Sequence, residues 1–267
     1  MLKKLFNQQK NESSSLIENP LFGPNHSYIP FVIYTHARSG SSLLVRLLAS
    51  HPNVVCFGEL FVNGRIGFGY DGFANDDQTL LEFRKSNPVK FLSEYVFTSY
   101  KSNVDAVGFK LFPEQVDSNF PAVKEWLAIN RRLKIIVLNR SDYLAALASR
   151  KLAAETGKWG ITDSSERNTA TITLTVDECR EFFKMRTSYF DASKDLFQGF
   201  DVLELDYTDL DNAQDETMTK AQHFLGIKPD KLGSSKVKQE TRTLDKVIEN
   251  YDELKKAFES SEFAHLF

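Results

Sequence analysis

Eight residues near the start of the chain, Thr35-His36-Ala37-Arg38-Ser39-Gly40-Ser41-Ser42, bring together one glycine, four hydroxyl side chains and one arginine. They follow a short β-branched and aromatic run, Phe31-Val32-Ile33-Tyr34, and precede leucines at helical spacing, Leu43, Leu44, Leu47 and Leu48. A strand, a tight turn and a helix in that order make an anion site, because successive backbone N–H groups and a helix N-terminus converge on one point. Gly40 permits a close backbone approach, the serine hydroxyls can donate, and Arg38 adds a permanent charge. The turn is P-loop-like in kind only: G-x-x-x-x-G-K-[ST] requires lysine where this chain has Ser41. Taken alone, the octapeptide also fits a Ser-rich surface turn with an exposed arginine.

Other chemistries find little support. Cys56 and Cys179 make neither a disulfide framework nor a metal-site spacing. The five histidines, His26, His36, His51, His223 and His265, show no HExxH or related pairing, so no metal is expected.

The elements that must position the turn can be read along the chain. Apolar runs at 31–34, 54–57, 106–112, 134–138 and 202–205 predict five strands. Helical patterns lead up to His51-Pro52 and cover 78–99 (broken near Pro88), 121–130, 142–155, 213–225 and 244–258. Thr175 and Glu178 form a capping box for a helix running to about Leu196. Residues 58–77 and 157–174 are irregular, 228–243 is polar and basic, and 1–27 reads as a polar tail or strap. Strands alternating with helices predict a single α/β domain over 28–267, with a central parallel sheet of about five strands flanked by helices.

Composition agrees with a globule. The chain has 267 residues, 42% hydrophobic and 26% charged, and a net charge of −3. At ~150 residues per domain this allows one or two domains, and the charge lacks the positive field of a nucleic-acid binder. No run reaches the ~18 apolar residues of a membrane span. The start has no apolar leader region, so a cytoplasmic location is expected.

The order and spacing of these pieces resemble the sulfotransferases that use 3′-phosphoadenosine 5′-phosphosulfate. In that family the first strand leads into T-x-x-[KR]-S-G-[ST]-[ST], matched by Thr35 to Ser42. A later strand ends in arginine, with serine eight or nine positions on; here Lys134-Ile135-Ile136-Val137-Leu138-Asn139-Arg140 is followed by Ser149. The nine-residue spacing and Arg150-Lys151 are similar to the bacterial trehalose and nodulation-factor group. So are Gly58-Glu59-Leu60-Phe61, Gly108-Phe109-Lys110-Leu111-Phe112 and Ile248-Glu249-Asn250-Tyr251-Asp252-Glu253-Leu254.

The resemblance implies in-line sulfuryl transfer to a small-molecule or carbohydrate acceptor, leaving adenosine 3′,5′-bisphosphate, without metal, nucleic acid or membrane span. It implies Arg38 beside the bridging oxygen; Ser39, Gly40, Ser41 and Ser42 around the 5′-phosphate; and Arg140 and Ser149 on the 3′-phosphate. Tyr207 would lie near the adenine. Lys236 and Lys238, or Arg242, would close the site from a basic segment. Two departures from the animal cytosolic enzymes matter: Leu43 replaces a tryptophan that stacks on adenine, and Phe112 replaces a catalytic histidine. Glu59 is the candidate base, with His36 its rival, and Lys110 either touches the sulfuryl group or pairs with an acid. Phe61, Tyr70, Phe73 and Trp159 could face the acceptor or belong to the core. Two other classes stay open: an atypical P-loop kinase and a non-catalytic nucleotide-binding protein.

Overall fold

A computed structural model describes residues 28–69, 76–161, 163–167, 169–234 and 240–267. The expected N-terminal tail, Tyr70, Phe73, Lys236 and Lys238 lie outside the described residues. Strands β1 (Ile29–Thr35), β2 (Val54–Glu59), β3 (Ala106–Leu111), β4 (Lys134–Asn139) and β5 (Asp201–Asp206) form one sheet in the order β2-β3-β1-β4-β5. Every neighbouring pair is parallel. The strands read as continuous apolar runs because both faces are covered. Their period of two divides β1 between two cores: Phe31 and Ile33 pack with Leu44 and Leu48, whereas Val32 and Tyr34 pack with Phe57 and Phe109. Only β5 is mixed, with Asp201, Val202 and Glu204 exposed, and charges on such an edge discourage pairing with another chain.

The helices are α1 (Ser41–Ala49), α2 (Gln78–Ser86), α3 (Pro88–Phe91), α4 (Pro113–Ser118), α5 (Pro121–Ile129), α6 (Tyr143–Thr156), α7 (Val176–Leu196), α8 (Tyr207–Asn212), α9 (Gln214–Phe224), α10 (Leu244–Val247) and α11 (Tyr251–Phe258). The capping box forms as expected, with the Glu178 N–H donating to Thr175 Oγ1 (3.1 Å) and the Thr175 N–H to Glu178 Oε2 (3.4 Å).

Three differences have physical causes. Helix α4 had no counterpart among the expected elements; Pro113 occupies its first turn, where a missing N–H costs nothing. The helix expected at 213–225 is preceded by α8, which starts at the end of β5 with the Asp206 carboxylate accepting the Thr208 N–H (2.8 Å). The helix expected at 244–258 is interrupted where Ile248 pairs with Ile172, and the Asn250 amide bonds both backbone groups of Leu174. This clamp holds the end of the 157–174 stretch against the C-terminal segment.

The described part of 58–77 is packed rather than loose. Phe61, Ile66 and Phe68 are buried, and Arg84 Nη1 donates to the carbonyls of Leu60 and Arg65. Phe61 lies 5.0 Å from Phe120, so of its two readings the core one holds.

The chain leaves β1 toward β2 on one side and leaves β4 toward β5 on the other. Adjacent strands with diverging connections open a crevice beyond their carboxyl ends, the favoured ligand position of open α/β sheets. The octapeptide and Arg140 sit at that place. Among the described residues, no helix is long and apolar enough to cross a membrane.

Candidate active site

The turn after β1 is held in an unusual backbone. Among the described residues, Arg38 is the one non-glycine residue with positive φ (66°), and Gly40 follows at 78°. Gly40 is required twice over. A Cβ at that position would lie 2.2 Å from Tyr207 Cδ2, and a left-handed conformation costs other residues roughly 1–2 kcal/mol. The Arg140 guanidinium lies 4.7 Å from the centre of the Tyr207 ring, so Gly40, Tyr207 and Arg140 form a continuous packed unit. Ser39 is buried, and its hydroxyl donates to the His36 carbonyl (2.9 Å), which leaves only its backbone for a ligand. Ser41 and Ser42 begin α1, which has no acidic residue in its first turn.

These groups face a cleft of about 480 Å³. Arg38, Gly40, Ser41 and Ser42 line it from the turn; Arg140, just past β4, Ser149 on α6 and Tyr207 on α8 also line it. Arg38 Nε and Nη2 both donate to Ser149 Oγ (2.9 and 2.7 Å), and Nη1 donates to the Trp159 carbonyl (2.6 Å). Arg140 Nη1 donates to the Arg38 carbonyl (3.1 Å), while among the described residues its buried Nε has no hydrogen-bond partner. Burial lowers both guanidinium pKa values, and for Arg38 repulsion from Arg140 adds to it. Both remain cations at neutral pH. The cleft also holds Leu43 and the exposed side chain of Trp159; at its rim Arg242 is paired with Glu240 (2.6 Å).

The candidate bases lie on the β2–β3 side of the turn. Glu59 Oε1 accepts from Lys110 Nζ (3.0 Å), and its Oε2 accepts from Gln115 Nε2 (3.4 Å). Lys110 Nζ also reaches Ser42 Oγ at 3.4 Å, linking the carboxylate to the turn. His36 Nδ1 pairs with Glu114 Oε2 (3.2 Å), and its ring packs 4.9 Å from Tyr189. Burial lowers the His36 pKa, outweighing the opposing bond to Glu114, so the imidazole is neutral at neutral pH. Consecutive residues of the unforeseen α4 therefore partner both candidates. Arg186, from α7, also contacts the turn and was absent from the sequence-based candidates. A polar clue existed for it, an arginine among Phe182, Phe183 and Phe190 on a helix.

The sulfotransferase family profile matches residues 30–231, three quarters of the chain and all of this sheet but its first residue. The chain belongs to the sulfotransferase family. Nodulation protein H of Rhizobium tropici is 30% identical over 242 residues, covering 89% of this chain and 92% of that protein. Nodulation protein H of Rhizobium meliloti (strain 1021) is 26% identical over 249 residues, covering 89% and 94%. A solved sulfotransferase from Alicyclobacillus acidocaldarius aligns with a TM-score of 0.48 at 13% identity, covering 87% of this chain and 91% of its own. As a sulfotransferase, the chain is an enzyme that moves a sulfuryl group.

In this sulfotransferase the tight packing at Gly40 has a measurable consequence. Gly40→Ala combines left-handed strain with displacement of Tyr207, together about 2 kcal/mol, which for a chain of this size lowers Tm by roughly 5 °C. Thermal unfolding followed by circular dichroism checks this, and an unchanged Tm would mean that the ring does not rest on the glycine.

Proposed function

We propose that this enzyme transfers the sulfuryl group of 3′-phosphoadenosine 5′-phosphosulfate to a hydroxyl or amine of a small-molecule or carbohydrate acceptor. The observation that carries this reading is Arg140. Its side chain lines the same cleft as the N-terminus of α1 and Arg38, and among the described residues its buried Nε has no partner. Leaving a guanidinium N–H buried and unsatisfied is costly, and an anion drawn to the fork would offset that cost. Two anion-seeking groups in one cleft suit a donor with phosphate at both its 5′ and 3′ positions, and guanidinium forks bind phosphate with paired charged hydrogen bonds.

On this reading the acceptor oxygen or nitrogen attacks sulfur, and the bond from sulfur to the bridging oxygen breaks. The electron pair stays on the phosphate of the leaving adenosine 3′,5′-bisphosphate, and the acceptor proton passes to a base. Arg38 stabilises the charge that grows on the bridging oxygen. The turn's N–H groups with Ser41 and Ser42 hold the 5′-phosphate; Arg140 and Ser149 hold the 3′-phosphate, completed by Lys236 and Lys238 from the basic segment. Glu59 takes the proton, with Lys110 beside it ready to face the sulfuryl oxygens. Trp159 and Leu43 supply apolar surface for the adenine or the acceptor.

Calorimetric titration tests the donor. Adenosine 3′,5′-bisphosphate should bind without Mg²⁺, and far more tightly than ATP or ADP. Mg²⁺-dependent binding of ATP, with no binding of the bisphosphate, would replace this reading with a kinase.

A further inference from the structure

Helix α7 runs behind the anion turn and places one arginine against its backbone. Arg186 is only 4% exposed. Its Nη2 donates to the Ala37 carbonyl (2.5 Å) and its Nη1 to Ser39 Oγ (3.4 Å), while among the described residues its buried Nε has no partner. The guanidinium also lies 4.9 Å from the Phe182 ring centre. Among the described residues no carboxylate forms an ion pair with it; Glu114 attracts it from α4, and Arg150 and Arg140 repel it. A buried cation without a direct ion pair is expensive, and an apolar side chain would fill the same volume at lower cost. The site therefore points to a role beyond packing.

Peptide geometry says what that role is. A trans peptide unit directs its C=O and its N–H in opposite directions. With the Ala37 carbonyl held by Arg186, the Arg38 N–H is turned away from α7. With the Arg38 carbonyl held by Arg140, the Ser39 N–H is turned away from that guanidinium. Left-handed backbone at Arg38 and Gly40 completes the kind of turn in which successive N–H groups form an anion-binding concavity.

We infer that Arg186 is a positioning residue for the anion turn: it orients the Ala37–Arg38 peptide plane that presents an N–H group and adds positive charge behind the turn. The identity of the ligand rests on the proposed donor; the geometry of the turn does not. Residue 186 lies 147 and 149 positions from the turn residues it bonds, outside the strand–turn–helix unit, and acts on the ligand through the backbone it holds and the charge it places behind it.

The experiment compares the wild type with Arg186→Met and Arg186→Lys. It reads hydrogen exchange of the 36–42 amides in the ligand-free enzyme, and calorimetric binding of adenosine 5′-phosphate and adenosine 3′-phosphate. In Arg186→Met the turn amides should exchange at least about 10-fold faster, and adenosine 5′-phosphate should bind about 30-fold more weakly. Binding of adenosine 3′-phosphate should stay within about 3-fold, since Arg140 and Ser149 are untouched. Arg186→Lys keeps the charge without the fork and should recover part of both losses. Unchanged exchange at the turn, or equal losses for the two nucleotides, would overturn the role. Should Arg186→Met not fold, Arg186→Lys decides: faster exchange confined to the turn supports the role, and wild-type exchange overturns it. Faster turn exchange in a protein whose wild type binds neither nucleotide would uphold Arg186 and overturn the proposed donor instead.

Discussion

Arg38→Ala lowers sulfuryl transfer by about 10²–10³-fold and leaves the fold nearly as stable as before. Removing one preorganised donor from the place where charge develops in the transition state typically has that effect. The stability side follows from the surroundings. Arg38 lies close enough to Arg140 for repulsion to depress its pKa, so deleting one cation relieves the other. Against that relief stand the lost bonds to Ser149 and the Trp159 carbonyl, while the left-handed strain at φ 66° is unchanged because arginine and alanine both carry a Cβ. These terms oppose one another and should cancel to within about 1 kcal/mol. Turnover and bisphosphate affinity must be measured together. Charge on the bridging oxygen grows only as the bond breaks, so turnover should fall more than affinity. Equal losses in both would make Arg38 a ground-state phosphate ligand, and full activity would remove the turn from the active site.

Glu59→Gln should reduce turnover by about 10²–10⁴-fold, the usual contribution of a positioned base, with bisphosphate affinity changed by less than about 3-fold. The substitution is not silent structurally. Lys110 is buried and would lose its carboxylate. Gln115 cannot turn its amide to compensate, because its Oε1 accepts the Phe112 N–H (3.2 Å). The new amide would therefore present N–H groups to the Gln115 N–H, and a loss of stability of about 2–3 kcal/mol is expected. Assays consequently belong well below the Tm of the variant. His36→Asn is the decisive comparison. If it abolishes turnover while Glu59→Gln does not, His36 is the base, and its lowered pKa keeps it in the proton-accepting form at neutral pH. If donor affinity collapses in Glu59→Gln while bound donor still turns over, the carboxylate serves only to hold Lys110.

What could be read without coordinates was local. Phe31 to Tyr34 read as a strand because β-branched and aromatic residues in a short run fit a two-sided buried ribbon. The turn was legible because Arg38, Gly40 and the serines are consecutive, and α7 because the bonds of its capping box span three residues. The Arg140–Ser149 pair was found only through family resemblance, since nothing in its spacing says phosphate.

Contacts across the fold stayed hidden. Helix α4 spans six residues, too few for a hydrophobic period to emerge, yet it supplies Glu114 and Gln115 to both candidate bases. Ser39 looked like one more phosphate hydroxyl, but its side chain faces inward, a matter of backbone dihedrals that residue type does not specify. Arg186 is the clearest case: only the course of α7 behind the sheet brings it to Ala37. Strand periods, caps and turn chemistry depend on neighbours within a few residues, so the sequence alone carried the α/β architecture and the anion turn. Which side chains orient that turn, and which partners restrain the candidate bases, depended on contacts between segments dozens to more than a hundred residues apart. Those were decided by the tertiary structure, because no local period encodes which helix packs behind which strand.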